Sequence, residues 1–191
     1  MNYFSLKHEY PNSGYIDGDV TFVPPLPDYY QVGAPYDLAN RSISVKMDKA
    51  VKKLKVDFFL TTSGAFFASE PLAALLLQHQ PDLQTYSAET TYFGGKATEK
   101  QYRLVHAARR VPCFDYEHSE YAGKALTLQR LARGEDPQTI LVKGIQAIVI
   151  DEKNSGGANF FFLSNVLYID PFVSESLASA IREQGLVVHL A

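Results

Sequence analysis

Apolar and polar positions along this chain follow two different periods, and the switch from one to the other marks its elements. Val56 to Leu60, which contains Asp57-Phe58-Phe59-Leu60, and the later Asn159-Phe160-Phe161-Phe162-Leu163 are short aromatic-rich runs. Runs of that length suit buried strands. Each is followed by a segment of one type: Phe67-Ala68-Ser69-Glu70-Pro71-Leu72-Ala73 in the first case and Phe172-Val173-Ser174-Glu175-Ser176-Leu177-Ala178 in the second. There the period changes to that of a helix. Ser69 is placed to cap a helix whose first turn holds Glu70 and Pro71, both suited to the free donors and positive end of the dipole. Leu72, Leu75, Leu76 and His79 share one face, and Pro81 ends the run. In the second segment Ser174 caps, Glu175 follows, and Leu177, Ala180 and Ile181 form the equivalent face before Gly185 stops it.

After each helix a strand-like run returns, Leu83-Gln84-Thr85-Tyr86 and then Leu186-Val187-Val188-His189-Leu190. The pattern therefore predicts an internally repeated strand-helix-strand unit, over 56–86 and again over 159–190. Between the copies, Tyr102 to His106, Pro112 to Tyr116, Ala125 to Leu131 and Ile145 to Asp151 read as strands. Asn154-Ser155-Gly156-Gly157 reads as a turn that joins the last of these to Phe160-Leu163 as a hairpin. The first forty residues differ. Pro24-Pro25-Leu26-Pro27 and Gly33-Ala34-Pro35 remove donors and bar regular helix, so residues 1–50 are expected to be loop-rich with short edge strands. Tyr29, Tyr30 and Tyr36 suit a lid over a core. The expected fold class is α+β, a mixed and mostly antiparallel sheet with few helices, in one domain over 1–191.

Composition narrows the function. The chain has 191 residues, 46% hydrophobic, 13% aromatic and 20% charged, which is enough to bury a substantial core. A net charge of -3 leaves no basic excess for tracking phosphates, so no nucleic-acid partner is expected. The lysines of Lys46-Met47-Asp48-Lys49-Ala50-Val51-Lys52-Lys53-Leu54-Lys55 read as a solvated face. The single cysteine, Cys113, excludes an internal disulfide and fits a reducing compartment. The start, Met1 to Glu9, lacks a signal-peptide pattern and no run reaches membrane-spanning length, so the expected location is cytoplasmic, with no membrane partner.

The densest polar cluster is Cys113-Phe114-Asp115-Tyr116-Glu117-His118-Ser119-Glu120-Tyr121. Read as a strand, it puts Asp115, Glu117 and Ser119 on one face and Tyr116, His118 and Glu120 on the other. A metal site would need His106 or another histidine beside His118 and a carboxylate, but no paired His spacing occurs, so no metal and no cofactor is expected. Cys113 with His118 or His106 is a conceivable nucleophile and base of a small hydrolase. A lone Cys between Pro112 and Phe114 more often fills a core. Asp115, Glu117 and Glu120 could serve as paired acids, though nothing fixes their separation. Thr91-Tyr92-Phe93-Gly94-Gly95-Lys96 lacks the first glycine and the Ser/Thr of a phosphate loop and reads as a turn. His79 reads as a partly buried core histidine, and His8 and His189 have no evident partners.

Taken together, Tyr102-Arg103-Leu104-Val105-His106, Cys113 to Tyr121, Phe160-Phe161-Phe162-Leu163 and Val173-Ser174-Glu175-Ser176-Leu177 resemble immunity-protein family eleven of bacterial polymorphic toxin systems, most strongly from about Phe58 to the C-terminus. The resemblance implies a protein that binds and neutralises a cognate toxin, with no established catalytic residue. An inhibitor of that kind needs a rigid scaffold and a surface complementary in shape and charge. Asp115, Tyr116, Glu117, His118, Glu120 and Tyr121 are the candidate partner-binding residues, with the acids as a patch and the two tyrosines as anchors. The alternatives are the small hydrolase and an adaptor domain that binds another protein without inhibiting it.

Overall fold

The computed structural model describes residues 2–10, 16–26, 29, 36–107 and 109–191. Tyr30, Pro27 and Gly33-Ala34-Pro35, read above as lid and loop, lie outside them. In chain order the elements are β1 (Tyr3–Lys7), β2 (Gly18–Val23), β3 (Ser42–Met47), β4 (Phe58–Leu60), β5 (Phe66–Ser69), α1 (Glu70–His79), β6 (Gln84–Thr91), β7 (Tyr102–His106), β8 (Glu120–Tyr121), α2 (Lys124–Ala132), a 3-10 turn at Pro137–Thr139, β9 (Ile145–Ala147), β10 (Phe160–Phe161), β11 (Phe172–Ser174), α3 (Glu175–Glu183) and β12 (His189–Leu190). The fold is α+β. Six strands run in the order β2-β3-β6-β7-β5-β4, four in the order β10-β11-β1-β12, and β8 pairs with β9. Every ladder is antiparallel except β3 with β6.

The two serine-capped segments take matching places in the two larger sheets. β4 and β10 each pair with the strand that leads into a helix, Phe58 opposite Ala68 and Phe160 opposite Val173. That strand then pairs with a third, Ser69 opposite Tyr102 in one sheet and Ser174 opposite Tyr3 in the other. The same third strand pairs with the one that follows the helix, β7 with β6 and β1 with β12. Both serines accept a hydrogen bond from a backbone N–H in the first helical turn, Leu72 and Leu177 respectively, which satisfies a donor that the helix leaves open.

The outer strands also cross-brace the helix ends. Asp57, just before β4, makes two hydrogen bonds with the loop after α3: its N–H donates to the Val187 carbonyl at 2.8 Å, and its carboxylate accepts from the Val187 N–H at 2.6 Å. Asn159, just before β10, does the same to the loop after α1. Its N–H donates to Gln80 Oε1 at 2.9 Å and its Nδ2 donates to the His79 carbonyl at 2.9 Å. Between the sheets α1 packs against α3, and one core holds Phe58, Phe66, Leu72, Leu76, Leu177 and Ile181 at no more than trace exposure. Leu75 is buried with them. Alternate residues on the outer side of the six-stranded sheet, Phe59, Phe67, Tyr102 and Leu104, make a second core with Ile43, Val45 and Tyr29. The four-stranded sheet has its own outer core of Phe161 and Phe172 with Cys113, Phe114, Tyr121 and Val142.

Four expectations fail locally. Ala125 to Leu131 lies in α2, not a strand. Ala, Leu, Gln, Arg and Lys outnumber the lone β-branched Thr127 there, so helix propensity and the spacing of Leu128 and Leu131 prevail over the apparent alternation. Pro112 to Tyr116 forms only a single bridge, Phe114 with Ile150. The turn after Asp151 does not close a hairpin, because β9 pairs with β8 and β10 with β11. The Asp151 carboxylate accepts from Lys153 N and Asn154 Nδ2, which winds the chain into a side-chain-mediated turn and sends it to the other sheet. Finally, β1 is an interior strand of the four-stranded sheet rather than an edge, since its five residues precede the proline-rich stretch and keep every donor.

Candidate functional site

The residues between β7 and β11 fold least regularly, and they carry most of the chemistry singled out in the sequence. Asp115 does not sit on a strand. Its Oδ1 accepts from the backbone N–H of Glu117 at 3.0 Å and of His118 at 2.9 Å, and its Oδ2 pairs with His118 Nδ1 at 2.8 Å. The chain therefore curls at Tyr116-Glu117-His118, and the two-faced arrangement expected of a strand is lost. Burial acts to raise the Asp115 pKa, but the hydrogen bonds from His118 and Glu117 together outweigh it and hold the carboxyl below its ordinary value. Glu120 is tied to Lys124 Nζ at 2.9 Å. Of the three acids, Glu117 is the one whose carboxylate carries no ion pair among the described residues.

The tyrosines divide. Tyr121 is buried, and its hydroxyl donates to the Tyr116 carbonyl at 3.1 Å. Tyr116 is half-buried and its hydroxyl donates to the Pro137 carbonyl at 3.0 Å. Both lie edge-on to Phe114, at 5.4 and 5.1 Å between ring centres. This aromatic trio props the turn from beneath. Glu117, His118 and Glu120 face outward, the last held by Lys124.

Cys113 is fully buried in the core beneath, and burial, with Asp151 adding, pushes its thiol up to about 12. A thiol held protonated is a poor nucleophile. His118 is turned to Asp115, while His106 belongs to another core, where it meets Tyr29 at 5.9 Å and Tyr36 at 5.7 Å between ring centres. The pair of Cys113 with either histidine is thus not assembled in this geometry. No three His, Cys, Asp or Glu side chains come together as a metal site among the described residues. Thr91 to Lys96 forms a turn, closed by the Gly95 N–H donating to the Tyr92 carbonyl at 2.8 Å.

Two histidines depart from the sequence reading. His8 Nδ1 meets Asp170 Oδ1 at 2.5 Å, and His189 Nδ1 meets the Glu9 carbonyl at 2.7 Å. Both pin the chain termini to the four-stranded sheet.

A second feature was missed by the sequence reading. A cleft of about 720 Å³ opens between the end of α1, the segment after β7, and the turn before β10, with His79, Gln80, Arg109, Arg110, Asn159 and Phe160 among its walls. The readable signal was the adjacent pair Arg109-Arg110 just past a strand end.

Large apolar side chains are also exposed in this region. Leu126, Leu141 and Leu167 are 62%, 59% and 61% exposed, and Val142 and Val166 beside the last two are buried as a bridge. The reactive groups of this α+β scaffold are engaged internally, and its irregular excursion exposes charged and apolar side chains, as a binding surface requires. The sequence model of the Immunity protein family (Imm11) matches residues 12–187, and the chain belongs to that family. The match begins well upstream of Phe58, so the proline-rich N-terminal part is included in it. A comparison with curated proteins gives no match. Family membership indicates an immunity function. No helix among the described residues is long and apolar enough to cross a membrane.

Proposed function

We propose that this protein protects the cell that makes it by binding a cognate toxin in the cytoplasm and blocking it, without a cofactor and without catalysis of its own. The observation that carries this reading is the family match over residues 12–187. The geometry supports binding over chemistry: Cys113 is buried and protonated, and the acids of the Asp115 to Glu120 stretch are mostly engaged within the chain. The partner-facing part of that stretch is the tip at Glu117 and His118. Asp115, Tyr116 and Tyr121 act by holding that tip in place, and Glu120, paired with Lys124, stands exposed beside it.

Charges at the edge of an interface mainly set the rate of encounter, and their effect weakens with salt. Co-expression with the cognate toxin's gene, scored by survival, tests the function. Protection by the wild-type chain is the expected result, and growth arrest despite soluble protein would overturn it. A binding measurement at two ionic strengths tests the tip. Glu117→Ser together with His118→Ser is expected to slow association several-fold at low salt with dissociation little changed, and unchanged association at both strengths would remove the tip from the interface.

A further inference from the structure

The matching ends of the two helices differ in one respect that points to a ligand. Tyr10 and Arg109 lie the same number of residues beyond the tyrosines, Tyr3 and Tyr102, that pair with the two helix-capping serines. Tyr10 turns inward: its hydroxyl donates to the Phe58 carbonyl at 2.7 Å at the start of β4, and only a small cleft of about 370 Å³ remains beside it. At the other end Arg109 turns outward, 81% exposed, and pairs with Asp82 at 3.1 Å at the rim. The place that Tyr10 fills near β4 has no such plug near β10, and the cleft of about 720 Å³ is the result.

The chemistry of that cleft is cationic. Arg110 is half-buried in its wall, and among the described residues its one hydrogen bond is from Nη1 to the Leu163 carbonyl at 3.1 Å. No carboxylate pairs with it among the described residues. A guanidinium has five donors in a planar fork, so most of this one's capacity is unspent. Burial lowers its pKa, and no compensating neighbour raises it. A partly desolvated cation without a counter-ion is stabilised by whatever anion completes it. Beneath it Phe160, Phe161 and Leu83 offer apolar walls, so the fitting occupant carries a carboxylate on a short apolar stem.

We propose that this cleft receives an acidic side chain of the bound toxin, with Arg110 as its bidentate partner and Arg109 as the rim charge that guides it in. Pro112 forms part of the cleft wall and also borders the neighbouring pocket lined by Phe114 and Tyr116. The cleft thus adjoins the pocket whose Tyr116 begins the Glu117 turn. The inference rests on the toxin-binding reading, and the two fail differently.

The test measures association and dissociation of the cognate toxin's purified domain with the full chain. Arg110→Gln is expected to speed dissociation at least tenfold, with Arg110→Lys recovering only part of the loss because an ammonium cannot bind bidentately. Arg109→Glu, at an exposed site where folding is not at issue, is expected to slow association several-fold at low salt. If both Arg110→Gln and Arg109→Glu bind within twofold of the wild type, the inference is overturned and toxin binding stands. Citrate that stabilises the free protein through Arg110, with toxin binding unchanged in the variants, assigns the cleft to a small free carboxylate and also overturns it. No binding by the wild type removes the toxin reading itself, and the inference with it.

Discussion

The two ends of the helix pair meet the same structural need with different chemistry. After α3 the brace is charged: Asp57 accepts the Val187 N–H, and Lys100 Nζ reaches the same carboxylate at 2.7 Å while also donating to the Lys55 carbonyl at 2.7 Å. After α1 the brace is neutral. Asn159 donates from its backbone to Gln80 Oε1 and from its side chain to the His79 carbonyl, and Ser174 Oγ donates to Asn159 Oδ1 at 2.7 Å. Tyr10 seals the first end, whereas Arg109 leaves the second open. One end is wholly occupied by holding the sheets together, and the other holds them together while leaving a cleft. Where two matching parts of a fold diverge, the divergent one is free to take a partner.

If the two serine-capped units contribute equally to the shared core, equivalent truncations should cost alike. Leu72 and Leu177 each follow the capping serine at the same spacing, and both are fully buried. Leu72→Ala and Leu177→Ala should each lower the unfolding free energy by roughly 2–5 kcal/mol through lost burial and a residual cavity. Denaturant melts of the two variants measure it. A loss below about half a kcal/mol at either site would show that one helix is peripheral and the equivalence superficial.

The braces sharpen the comparison further. Removing the Asp57 carboxylate leaves the Lys100 ammonium, one-third exposed, without its partner and strands the Val187 N–H. Asp57→Ala should therefore cost about 3 kcal/mol, after allowing for the solvent that Lys100 can regain. Asn159→Ala exchanges neutral hydrogen bonds for none and should cost about 1–2 kcal/mol. Equal losses at the two sites, read from the same melts, would mean that charge adds nothing to the brace.

Much of this architecture was legible because it rests on local signals. The Ser-Glu caps and the leucine face of α1 are encoded within one turn of helix, and the aromatic runs before them carry the period of buried strands. What was not legible depends on partners distant in sequence. The place of β1 in the interior of a sheet is decided by residues at the opposite end of the chain, and the turn at Asp115 by a single carboxylate that captures two amides. The acids of that stretch could be read as a patch, yet not their engagement by His118 and Lys124. Nor does any local pattern tell that Arg110 lacks an acid, since that follows from where the whole fold leaves it.

The third strands of the two sheets differ as well, and pH separates them. At the end of β7, His106 is held among aromatic rings, Tyr29 and Tyr36. At the end of β1, Lys7 and His8 hold the buried Asp170, with His8 also donating its backbone N–H at 3.0 Å. Burial acts to raise the Asp170 pKa, but His8 and Lys7 together outweigh it and keep the carboxyl below its ordinary value. A carboxyl lowered by folding stabilises the protein above its unfolded pKa of about 3.9 and ceases to do so as the pH falls through its folded value. Asp170→Asn should thus cost about 1 kcal/mol at neutral pH, the smallest of these effects. The difference from wild type should shrink as the pH is taken below about 4. The measurement is the gap between the two stability curves, because other carboxyls titrate in both. A gap that stays constant from neutral pH into the acid range would show that Asp170 gains nothing from its charge, and that both third strands are held by packing alone.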